Sequence, residues 1–127
     1  MTTKTNSDTE LADTLDLLDG FSLLPGIEDI LTGIQKAAAA AEVGDLDPDA
    51  TQTLLAALAG ADEANVLTAL AYLIGQLSDA DTNPTLRTLP IDQQEQARKH
   101  GSAARYELLD PYLHQHASEA SAAIDGN

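Results

Sequence analysis

The chain has 127 residues, no Cys, and 21 Asp plus Glu against 6 Lys plus Arg, a formal net charge of −15. The length predicts one domain with a modest core, and the missing Cys excludes disulfides and thiolate metal sites. The acidity argues against direct binding to nucleic acid or an anionic membrane, both of which need a basic face.

Residues 1–6 are polar and predicted to be disordered, ahead of a single helical domain over 7–114. Ser7 and Glu10 form a capping box. Behind it Leu11, Leu15 and Leu18 recur at helical spacing among Asp13, Asp16 and Asp19, which predicts an amphipathic helix ending near Gly20. Phe21, Leu23 and Leu24 form an apolar connector closed by the turn pair Pro25-Gly26. A second helix is expected from about Ile27 to Glu42, with Ile27, Ile30, Leu31 and Ile34 on its apolar face, an alanine run from Ala37 to Ala41, and Gly44 at the C-cap.

Asp47-Pro48 reads as a helix start, an N-cap acid followed by Pro at the first helical position. That helix carries Leu54, Leu55 and Leu58 and stops at Gly60. Asp62 is the expected cap of the next helix, with Glu63 in its first turn. Over about 63–77 it carries Val66, Leu67, Leu70, Leu73, Ile74 and Leu77, apolar nearly all round, and is predicted to be the central buried helix. Asn83-Pro84 and Leu89-Pro90 break a linker near 78–90. Ile91 to about Asp110 is helical in pattern, and Asp110-Pro111 either kinks this helix or restarts a last one. Residues 115–127 are small and polar and expected to fray. The apolar inventory, 20 Leu and 22 Ala against 6 Ile, 2 Val, 1 Phe and 3 Tyr, favours helices over strands. The fold class is therefore all-α, a small bundle of about five helices.

The charge has a pattern of its own. Acid is mostly Asp, and only 3 Lys occur. Such a surface repels itself at low salt, and molar salt shortens the Debye length to about 3 Å. A salt-rich, halophilic cytoplasm suits it. Residues 1–63 hold 13 Asp or Glu and 2 Lys, so the N-terminal half is the acidic one. The longest uncharged stretch, Ala64 to Ser78, falls short of the about 20 residues that span a bilayer, and Met1 to Glu10 lacks the apolar core of a signal peptide. A cytoplasmic location is expected.

Few residues suggest chemistry. Asp45, Asp47 and Asp49 have the spacing that opens a calcium loop, but Ala50 and Ala56 stand where the loop needs Gly and a bidentate Glu. His114 and His116 are two apart, which puts them on different helix faces. There is no G-x-S-x-G, no H-E-x-x-H and no Gly-rich phosphate loop. Accordingly no catalytic residue, metal ligand or cofactor site is assigned, and the chain reads as a non-enzyme.

The remaining signal lies near the C-terminus. Arg98, Lys99, His100 and Arg105 concentrate half of the Lys and Arg on one helix, where they could pair with the chain's own acid. Ala97, Gly101, Ala104 and Leu108 share a face whose small residues admit a close neighbour, either the chain's own core or a partner. With Arg98, Arg105 and Tyr112 they make the candidate interaction residues. The expected function is a small acidic protein-interaction module, an adaptor, accessory subunit or assembly component of a halophilic host or its virus, working through a protein partner or self-association. The competing reading is a possibly viral inhibitor that mimics nucleic acid, its carboxylates standing in for phosphates on a nucleic-acid-processing enzyme.

Overall fold

The computed structural model describes residues 6–61 and 64–126, with side chains from Glu10 onward. Among them all regular structure is helical: α1 (Asn6–Leu18), α2 (Ile27–Glu42), α3 (Pro48–Leu55), α4 (Val66–Ser78), α5 (Ile91–Leu108) and α6 (Pro111–Asp125). Short 3-10 turns lie at Asp19–Phe21 and Pro84–Thr88, and a π-helical turn at Ala56–Gly60. The fold is all-α, as the Leu and Ala content predicts. Two compact units, Met1–Leu46 and Asp47–Asn127, are distinguished within the chain. No helix among the described residues is long and apolar enough to cross a membrane.

In the first unit, Leu15 of α1 and Leu31 of α2 are buried at 8% and 5% exposure, while Leu11, Ile30 and Ile34, which the helical spacing placed on the same apolar faces, are exposed. The side chain of Ser7 in the expected capping box lies outside the described residues, as do residues 1–5. Gly26 takes a left-handed φ of 84° at the turn into α2, where only Gly is unstrained. At the other end Gly44, φ 80°, donates to the Ala41 carbonyl (3.3 Å) and Asp45 to the Ala40 carbonyl (2.9 Å). That pair of bonds is a Schellman cap.

The second unit opens as the sequence predicts. Asp47 caps α3 by accepting from the Ala50 N–H at 2.8 Å, with Pro48 at the first helical position. The helix then widens into the π-turn, in which the Ala61 N–H reaches back five residues to Ala56 at 2.8 Å. Gly60 ends it against the backbone of α6: a Cβ there would stand 3.0 Å from the Ser118 nitrogen. Asp62 and Glu63 lie outside the described residues. The cap of α4 is Asn65, whose Oδ1 accepts from the Thr68 N–H at 2.9 Å, so the helix starts at Val66 rather than near 63.

Two expectations are corrected. The segment expected to fray over 115–127 is helical through most of its length: α6 runs on to Asp125, and Ser121 Oγ donates to the Gln52 carbonyl of α3 at 2.9 Å. Its small side chains, read as a polar tail, are what lets it lie close to Gly60 and α3. Nor is α4 the buried apolar centre. Its buried residues are Thr68 and Ala71, behind the buried cap Asn65, while Val66, Leu73 and Leu77 are exposed. The reason is steric. Thr68, Ala71, Gly75 and Ser78 form one small-residue face, and helices approach closest through small side chains. That face packs on α5, and the leucines on the opposite face point away from it.

Candidate interaction surface

The seven sequence-nominated residues separate into two groups. Ala97, Gly101, Ala104 and Leu108 recur at spacings of four, three and four on α5. Gly101 is buried and the other three are half-buried. A Cβ added at Gly101 would overlap Ser78 Cβ and Oγ of α4. The small face of α5 is therefore occupied by the chain's own α4, the first of the two neighbours considered for it. Arg98, Arg105 and Tyr112 are exposed, Tyr112 on α6 rather than with the others.

Arg105 lies along α4. Its Cδ would be 3.2 Å from a Cβ built on Gly75, and its guanidinium carbon stands 4.8 Å from the centroid of the Tyr72 ring. Gly75 thus makes room for the Arg105 stem, and the cation rests on an aromatic face. Among the described residues His116 Nδ1 comes within 3.8 Å of Glu119. Arg98 shares a shallow cleft of about 160 Å³ with Asp79, Asp81 and Glu95 without pairing to any of them. No group of three or more His, Asp or Glu among the described residues is placed to hold a metal ion, and Asp47 of the calcium-like run is spent as a helix cap.

Sequence reasoning missed a polar junction around His114. Its Nδ1 lies 2.6 Å from the Ala59 carbonyl of the π-turn and its Nε2 2.7 Å from the Leu108 carbonyl at the end of α5. A neutral ring can donate to only one of them, whereas a charged ring donates to both. Asn65 Nδ2, which donates to the Ala61 carbonyl at 2.7 Å, comes within 3.3 Å of Nδ1. One half-buried ring thus ties the π-turn, the start of α4 and the ends of α5 and α6. Ala59 and Asn65 are 55 and 49 residues from His114 in sequence, and no local pattern announces them.

The second missed feature is the outward face of α4. Val66, Leu70, Leu73 and Leu77 follow at spacings of four, three and four. Val66, Leu73 and Leu77 are 45%, 43% and 54% exposed, and Leu70 is half-buried. The signal was present as the helix's all-round apolar character; what it could not say was which side would turn inward. Set against known proteins, the chain matches no family model, no characterised protein and no solved structure.

Proposed function

We propose that this protein is a small acidic interaction module, an adaptor, accessory subunit or assembly component rather than an enzyme, adapted to a salt-rich cytoplasm. One observation carries the reading. Among the described residues only Leu15, Leu31 and Ala71 are buried hydrophobic residues, while large apolar side chains stand exposed on both units, Leu17, Leu23 and Val43 on the first and Ile91, Leu73 and Leu77 on the second. Scattered apolar surface is ordinary in a monomer; a contiguous apolar stripe, such as the one that Leu73 and Leu77 form on α4, marks a surface that a protein partner covers. The net charge of −15 supports the salt-adapted part of the reading.

The test is recovery of the tagged chain from its own cells at native salt, after brief cross-linking, with the mass of the complex measured. The expected result is a stoichiometric assembly with a second protein or with itself. A chain recovered only as an unassociated monomer would overturn the interaction role.

A further inference from the structure

We infer that α4 is a self-association seam, the place where a second copy of this chain docks. This rests on the interaction-module reading and goes beyond it by naming both surface and partner. Three observations converge on α4.

The first is geometry. Val66, Leu70, Leu73 and Leu77 recur at four, three and four, the spacing of a coiled-coil seam over nearly two heptads, and they face away from α5. The second is charge. Residues 64–78 contain no charged side chain in a chain of net −15. Two copies that meet along this stretch bring no charge of the stripe itself together. The third is the flanks. In a helix pair the residues beside the seam select the partner by charge, and here they are Leu67, Ala69, Ile74 and Gln76. Neutral flanks offer nothing for a charged foreign helix to read and nothing to repel an identical one. A two-fold pair places the same stripe on both sides, and the apolar contact strengthens in salting-out salts, where pairing through charges fades.

The seam is tested by sedimentation equilibrium in about 2 M KCl, on the parent, Leu73→Glu and Leu77→Glu. Both positions are about half exposed, so the variants should keep the parent's circular dichroism. The parent should be a concentration-dependent dimer, and each variant should weaken dimerisation at least about a hundredfold, because the lost contact occurs twice per dimer. The chain has no Cys, so introduced thiols give a reading independent of folding energetics. Under oxidation Leu73→Cys should link to itself in a parallel seam, or to Leu70→Cys in an antiparallel one. A monomeric parent, variants that dimerise like the parent, or failure of both thiol pairs to link would each overturn the proposal. A monomeric parent that still recovers a different protein from cells would remove the second copy while leaving the interaction reading in place.

Discussion

Gly101→Ala separates the two roles a small residue can have on α5. On an open face the change stabilises the helix by about 1 kcal/mol. At the α4–α5 crossing the new methyl lands on Ser78 Cβ and Oγ. The hydroxyl can rotate away from its 2.7 Å bond to the Ile74 carbonyl, but Cβ is fixed to the backbone, so the helices must separate. Overpacking of this kind costs about 1–3 kcal/mol. After the propensity gain the expected net loss is up to about 2 kcal/mol, and larger for Gly101→Leu. Ser78→Gly removes both obstructing atoms and leaves Ser78 Cα at 3.7 Å, an ordinary contact. The double variant should therefore recover stability, with a coupling energy of about 1–3 kcal/mol. Urea denaturation followed by circular dichroism in about 2 M KCl measures the cycle with surface repulsion muted. If Gly101→Ala raises the midpoint and the coupling is within about 0.5 kcal/mol of zero, α5 does not pack on α4 through its small face.

His114→Phe should cost about 1–3 kcal/mol, because the Ala59 and Leu108 carbonyls lose the ring nitrogens that contact them; a thermal melt that barely moves would show water replacing the ring. Arg105→Met keeps the stem over Gly75 and removes the cation over Tyr72; a loss of about 0.5–1 kcal/mol is expected, and none if Tyr72 is first changed to Leu. Leu31→Ala should cost about 2–5 kcal/mol in the first unit, whereas Leu73→Ala, measured at concentrations too low for association, should cost under about 1.5 kcal/mol; equal losses would put Leu73 in a core after all. The melting temperature should rise from about 0.1 M to about 2 M KCl, and a flat or falling trend would remove the salt-adapted reading.

Local chemistry made much of the fold legible. Asp47-Pro48, Gly44 and Asp110-Pro111 act over three or four residues, and each marks the helix end that its chemistry requires. The apolar spacing of Leu15 and Leu31 likewise marks the inward sides of α1 and α2. What the spacing could not resolve was competition between faces. On α4 both a leucine face and a small face were available, and hydrophobicity alone favours burying the leucines. The small face won because Gly75 and Gly101 let the α4 and α5 backbones close on each other. The same effect misdirected the reading of α6, whose Ala- and Ser-rich end resembles a tail until Gly60 is laid against it. The His114 junction was invisible for a different reason: its partners meet only after the whole second unit is assembled.

The division of the chain falls between two helix ends that are complete on their own sides. The last turn of α2 closes through Ala40, Ala41, Gly44 and Asp45, and the first turn of α3 through Asp47, Ala50 and Thr51. Cutting between Leu46 and Asp47 severs none of those bonds. The junction is thus a seam of modularity: a reporter inserted there, a protease site engineered there, or an exchange with another chain at that point would leave both caps whole. A tag meant to leave each unit undisturbed belongs at that peptide bond.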